Sequence, residues 1–246
     1  MSTGFRCKQF YVDHGACAMK VGTDALLLGA WTQVPAQGAL LDIGTGSGIL
    51  SLMLAQRCPH SQIDAIELDA SAAAVAAQNF AASPFAGRLR LMKGDILTYP
   101  ASADYPSERR YRLIISNPPF FVGAVKSTDA MRQQARHTDS LPFADLLRVV
   151  AQLLTADGQF SLVLPCAEAS LLLELALSAG WQLDRHCLVQ TVPAKPPMRR
   201  LLTLSLPATD SGSQSEPVAE HLLIRDQQGQ YSPAYRQLLR DFYLKF

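Results

Sequence analysis

Ala39-Leu40-Leu41-Asp42-Ile43-Gly44-Thr45-Gly46-Ser47-Gly48, followed by Ile49-Leu50-Ser51-Leu52-Met53-Leu54-Ala55-Gln56, is the stretch that decides the fold. Its first five residues are a short apolar run, the composition of a strand buried on both faces. The three glycines make a turn, and the run behind them has the length and composition of a helix. A strand that ends in glycines and feeds a helix N-terminus leaves bare backbone at the open edge of a sheet, where a ligand can approach closely. The spacing is G-x-G-x-G, not the G-x-G-x-x-G of dinucleotide sites, which counts against a pyrophosphate.

Downstream the pattern recurs. Gln62-Ile63-Asp64-Ala65-Ile66 reads as a second strand ending in Glu67-Leu68-Asp69, and Ser71 to Ala82 is an alanine-rich helix. Arg88 to Met92 is a third strand, leading to Gly94-Asp95. Glu67, about 20 residues past the glycines, is placed to accept from ribose hydroxyls. Asp95, at the next strand end, can receive an adenine amino group. Either acid alone is as well explained by a solvated loop. Three successive strand ends finishing in an acid, on the edge that carries the glycines, point to a ligand.

Leu113-Ile114-Ile115-Ser116 is the fourth strand, and Asn117-Pro118-Pro119-Phe120 follows it. The residue before a proline is pushed to extended geometry, and Pro118 has φ fixed near −65°. The chain therefore leaves the strand in one stiff conformation, with the Asn117 amide and the Pro118 carbonyl as neighbouring acceptors. Neither proline offers an N–H, so the loop accepts better than it donates. Phe120 adds a flat apolar face. Such a set suits a planar group bearing an amine, a nucleobase or an amide.

Upstream, Thr23 is read as the N-cap of a buried helix through Trp31, with Asp24 in the first turn where a carboxylate suits the dipole. Lys126, Arg132 and Arg136, together with His137, follow the fourth strand. Pro142 to Leu154 is a helix, Gln159 to Leu164 a fifth strand after an Asp157-Gly158 turn, and Ala167 to Ala179 a helix closed by Gly180. Trp181 to Val192 and Leu201 to Leu206 pair as an antiparallel hairpin. Its stiff connection carries Lys195, Arg199 and Arg200, a second basic cluster. A polar loop over Thr209 to Pro217 precedes an edge strand at His221 to Ile224 and a terminal helix from Pro233 to Tyr243. Residues 1–246 are read as one domain, with an N-terminal extension over 1–36 and a C-terminal extension over 208–246.

The composition bounds the setting. No run of about 18 apolar residues exists, so no membrane span is expected, and the N-terminus lacks the apolar core of a signal peptide. Cys7, Cys17, Cys58, Cys166 and Cys187 are scattered without a Cys-x-x-Cys, as in a reduced, cytoplasmic protein with neither a disulfide framework nor a metal site. A net charge of +1 leaves any nucleic-acid surface to a local patch.

Asp42-x-Gly44-x-Gly46-x-Gly48, Glu67, Asp95 and Asn117-Pro118-Pro119-Phe120, in this order, resemble the class I S-adenosylmethionine-dependent methyltransferases that act on amino groups. Lys8-Gln9-Phe10, Met19 to Asp24, Leu28 to Trp31, Gln134-Ala135-Arg136 and Phe242-Tyr243-Leu244 make the chain similar, over nearly its whole length, to the bacterial tRNA1(Val) (adenine(37)-N6)-methyltransferase family. The resemblance implies an α/β, Rossmann-like fold. It has a mostly parallel seven-stranded sheet, helices on both faces and a C-terminal antiparallel hairpin. It implies Lys20, Thr23 and Asp24 near the amino acid end of the cofactor, Asp42 with Gly44, Gly46 and Gly48 around that same portion, Glu67 on the ribose and Asp95 on the adenine. Asn117 and Pro118 would hold the target amine, with Asn117 also bordering the cofactor, and Phe120 would stack on the base.

Lys126, Arg132, Arg136, Lys195, Arg199 and Arg200 are the candidate contacts to RNA, the anticodon loop of tRNA in this reading. A monomer without metal is expected. Other readings keep a place. A protein-glutamine N5-methyltransferase or an rRNA guanine-N2 methyltransferase would use the same acceptors. A nicotinamide oxidoreductase leaves N-P-P-F without a job, and a non-catalytic S-adenosylmethionine- or RNA-binding protein would not need Asn117.

Overall fold

A computed structural model describes residues 4–15, 21–101, 108–118, 141–207 and 216–246. The apolar runs become strands β3 (Leu40–Ile43), β4 (Ile63–Glu67), β5 (Leu89–Lys93), β6 (Tyr111–Ser116), β7 (Leu154–Pro165), β8 (Gln182–Gln190), β9 (Arg199–Ser205) and β10 (Val218–Leu223). They form one eight-stranded sheet in the order β10-β8-β9-β7-β6-β3-β4-β5. That is the seven strands the resemblance implies plus β10, the edge strand read around His221 to Ile224, parallel to β8. All neighbours are parallel except β9, antiparallel to both β7 and β8. A separate ribbon, β1 (Gly4–Arg6) with β2 (Tyr11–Asp13), was not expected from sequence.

Parallel strands need cover on both faces, and every residue of β3 is buried. Helices α1 (Thr23–Trp31), α2 (Ile49–Arg57), α3 (Ala70–Ala82) and α6 (Pro233–Leu239) pack one side, in a core with Leu28, Met53, Phe80 and Tyr235. Helices α4 (Phe143–Leu153) and α5 (Cys166–Ser178) pack the other, with Leu146, Val150, Phe160 and Leu172. Two strand acids lie within this core. Asp64 accepts from the Tyr111 hydroxyl at 2.8 Å and pairs with Arg109 at 2.8 Å, as a buried charge must. Asp42 belongs to the site described below.

Several boundaries differ from the sequence reading. Gly22, not Thr23, caps α1; Thr23 is already helical and its side chain makes no capping bond. Asp157-Gly158 is strand rather than turn: β7 begins at Leu154. A Cβ on Gly158 would meet the Tyr111 carbonyl oxygen at 2.8 Å, so the glycine serves close approach of two backbones. Gly180 does close α5, at φ 85°. Trp181 N–H bonds the Ala176 carbonyl and Gly180 N–H the Leu177 carbonyl, a Schellman end. The last strand starts at Val218, and α6 stops at Leu239. Among the described residues, no helix is long and apolar enough to cross a membrane.

Candidate active site

From β3 the chain steps outward through β4 to β5, then crosses back to place β6 on the other side of β3. β3 and β6 therefore flank the point where strand order reverses, and ligands of open α/β sheets bind at the carboxyl ends there. The register fixes which residues meet at that edge. Ile43 pairs with Ile66 on one side and with Ser116 on the other, and Ile66 pairs with Met92. One residue further on, Gly44, Glu67, Lys93 and Asn117 stand level, with Asp95 just past β5.

The glycine turn needs its glycines for different reasons. Gly44, Gly46 and Gly48 have φ of 69°, 57° and 88°, where L side chains are strained. A Cβ on Gly44 or Gly46 would meet nothing within 4 Å, so the space above them is open. A Cβ on Gly48 would lie 2.5 Å from the Phe80 ring, because α2 begins hard against α3. Asn79, buried on α3, ties the turn down: its Nδ2 donates to the Ser47 carbonyl at 2.8 Å and to the Asp13 carbonyl at 2.9 Å. Its Oδ1 accepts from Asp13 N–H. The sequence reading missed Asn79; an amide in an alanine-rich helix was the available signal.

Glu67 is held rather than loose. One carboxylate oxygen accepts from Gly46 N–H at 2.8 Å and the other from Asp69 N–H at 2.9 Å. Each oxygen keeps a lone pair for a further donor. Asp69, one of the loop acids, is the N-cap of α3, accepting from Ala72 N–H at 2.7 Å. Asp95 uses one oxygen on Leu97 N–H. It borders a cavity of about 290 Å³ with Ile66, Met92, Gly94 and Tyr99 in its wall.

Asp42 is fully buried behind the turn. Its Oδ2 accepts from Thr45 Oγ1 at 2.6 Å, Ser51 Oγ at 2.7 Å and Ser51 N–H at 3.1 Å. Its Oδ1 has no protein partner among the described residues. Burial pushes the carboxyl up to about 6, against the opposing hydrogen bonds from Thr45 and Ser51. The folded state therefore holds a proton that the unfolded chain, titrating near 3.9, has lost. The stability this confers is present below about pH 4 and is lost as pH rises through 6. It amounts to about 3 kcal/mol at 1.36 kcal/mol per unit. Asp42→Asn should flatten the stability profile between pH 4 and 6, measured by urea denaturation in parallel with the parent; an unchanged slope would place the titration elsewhere.

Asn117 is half-buried and Pro118 buried at the end of β6, whose Ser116 hydroxyl donates to the Ile43 carbonyl at 2.9 Å. Phe120, Lys20, Lys126, Arg132, Arg136 and His137 lie outside the described residues. Of the hairpin cations only Lys195 is exposed. Arg199 pairs with Asp24 at 2.7 Å, across 175 residues of chain. Arg200 is half-buried, its Nε without a partner among the described residues. Thr23 and Asp24 thus share a wall with the hairpin. No group of His, Cys, Asp or Glu among the described residues is arranged to hold a metal ion.

The donor set fits S-adenosylmethionine. The turn is open above Gly44 and Gly46, a fixed carboxylate stands beside it at Glu67, and the orphaned Asp42 oxygen lies behind it. Comparison with known proteins agrees. Residues 15–165 match the methyltransferase small domain. A predicted O-methyltransferase from Agrobacterium tumefaciens superposes with TM-score 0.66 at 18% identity, covering 89% of this chain and 96% of that one. A glycopeptide N-methyltransferase solved with S-adenosyl-L-methionine gives 0.53 at 15% identity, over 75% and 95% of the two chains. These two likenesses speak for the fold. The tRNA1(Val) (adenine(37)-N6)-methyltransferase of Tolumonas auensis is 46% identical over 98% of this chain and 97% of its own length. The chain belongs to the methyltransferase small domain family and, within it, to the family of that full-length relative.

Proposed function

We propose that this protein transfers a methyl group from S-adenosylmethionine to the exocyclic N6 amine of an adenine in tRNA, adenine 37 of the anticodon loop of tRNA1(Val). The observation that carries it is the register that sets Gly44, Glu67 and Asn117 side by side at the switch point, in a chain with so close a full-length relative. Glu67 holds the ribose, Asp95 the adenine ring beside its cavity, and Asp42 with the glycine turn the amino acid end, to which Lys20, Thr23 and Asp24 also belong. The cofactor supplies an electrophilic methyl group on a sulfonium.

The chain's own residues make the amine a nucleophile. The N6 lone pair is delocalised into the ring. The Asn117 side-chain oxygen and the Pro118 carbonyl accept its two N–H groups, favour pyramidal nitrogen and free the lone pair. Positive charge grows on nitrogen in the transition state, where both acceptors bind more strongly. The methylated ammonium is acidic, so no general base is assigned. Phe120 stacks on the extruded base, for about 1–3 kcal/mol. An unpaired loop base is cheaper to capture than one in a duplex.

Lys195, exposed on the hairpin, takes phosphate, with Lys126, Arg132 and Arg136 from the loop after β6. Arg199 and Arg200 border the same surface. The enzyme works as a cytoplasmic monomer. Tritiated methyl transfer to bulk tRNA, total protein and DNA in parallel tests the reading: label should enter tRNA. Label in protein alone would turn the same two acceptors over to a glutamine amide.

A further inference from the structure

A second cavity, of about 370 Å³, opens among the N-terminus of α1, the ends of the β8–β9 hairpin and the segment after β10. It is lined by Asp24, Thr191, Met198, Arg199, Arg225 and Tyr231, among others. None of the glycine turn, Glu67, Asp95 or Asn117 borders it. It nevertheless sits on the same edge of the sheet. Arg199 pairs with Pro165 at the end of β7 and with Val189 in β8, while Ser116 pairs with Leu162 further back along β7. The hairpin thus rises about 10 Å past the end of β6, and β8 stands three strand spacings, about 14 Å, to its side.

The lining is chemically specific. The Arg225 guanidinium lies 4.2 Å from the centroid of the Tyr231 ring, and that ring stacks on Tyr235 with centroids 4.9 Å apart and an interplanar angle of 15°. Arg225 is held in place by its bond to the Gly229 carbonyl at 2.7 Å. A planar cation is thereby presented at the end of an aromatic stack. Asp24, in the same lining, uses Oδ2 on Arg199. Met198 is 51% exposed beside it. Two guanidinium groups against one carboxylate leave the lining net positive. Bases of single-stranded RNA stack on arginine planes and present their edges to fixed polar groups, and their phosphates favour a cationic rim.

We propose that this cavity is a second nucleotide site. It holds one base of the single-stranded loop, a few nucleotides from the methylated adenine, stacked on Arg225. The inference rests on the tRNA reading above and adds where the loop is gripped. It makes recognition a two-point measurement, one base in the reaction site and another at the far side of the hairpin.

The test is a cycle between protein and RNA. Methyl transfer would be followed on anticodon stem-loop oligonucleotides that each carry one abasic residue in the loop, outside the target adenine. With the parent enzyme, one position should raise KM roughly 5- to 150-fold, the worth of one stacked base, and leave kcat nearly unchanged. With Arg225→Ala that position should cost nothing further. Arg225→Lys keeps the charge and loses the plane, so it should retain the salt dependence of the parent while also abolishing the position effect. Both variants are first checked for parental melting; Thr191→Trp, which fills the cavity from an exposed position, gives the same readout if Arg225 proves necessary for folding. Equal abasic penalties in the parent and in every folded variant, with methylation of intact tRNA preserved, overturn this site and leave the reaction assignment standing. Absence of methyl transfer to any RNA overturns both.

Discussion

Asn117→Ala should lower the single-turnover rate of methyl transfer by on the order of 10²–10³, the scale for losing one preorganised polar contact to a transition state. Affinity for S-adenosylmethionine should stay nearly constant. The groups assigned to hold it are anchored elsewhere, Glu67 by Gly46 and Asp69, and Asp42 by Thr45 and Ser51. The loop should also survive, since Pro118 keeps its fixed φ and Ser116 keeps its bond to the Ile43 carbonyl. Rapid quench at saturating tRNA and cofactor reads the chemical step; calorimetry with the cofactor reads the other. A parental rate in the variant would remove the two-acceptor mechanism while leaving the family intact.

Gly48→Ala should be the most damaging methyl group that can be added to the glycine turn. The left-handed backbone at φ 88° costs about 1–2 kcal/mol for an L residue. The new Cβ would press on the Phe80 ring from 2.5 Å, an overpacking penalty of about 1–3 kcal/mol. Together these lower stability by about 2–5 kcal/mol, with a fall in Tm of roughly 5–20 °C for a chain of this size. Gly46→Ala is the contrast. It carries the backbone strain but no collision, so its thermal shift should be the smaller one. Equal shifts in the two variants would show that Phe80 yields and that the turn alone sets the cost.

The strand ends that make up the candidate site were legible because their information is local. A strand, three glycines and a helix lie within one run of residues, and each acid follows its own strand directly. Stacking those strands in parallel was enough to bring Gly44, Glu67 and Asn117 level at one edge, with Asp95 just past it and Asp42 buried behind. What escaped depends on contacts between distant segments. Asn79 anchors the Ser47 carbonyl from α3, and its place in an alanine-rich helix marks the amide without naming that partner. Asp24 reads as a first-turn acid, yet its partner is Arg199. The Gly158 signal was real, but Asp-Gly serves both tight turns and close approach, and only the neighbouring Tyr111 backbone decides between them. β1 and β2 have three residues each, too few to show a period.

β10 has a consequence for how the molecule is made. It pairs with β8 over six residues, Val218 to Leu223 against Arg185 to Gln190, and Glu220 bonds Arg185 to lock it there. In synthesis β8 and β9 precede it, so the sheet exists for a time with the backbone donors and acceptors of β8 open along one side. Such a border recruits any extended segment that reaches it first. The closing strand is thus a self-supplied stopper for that border.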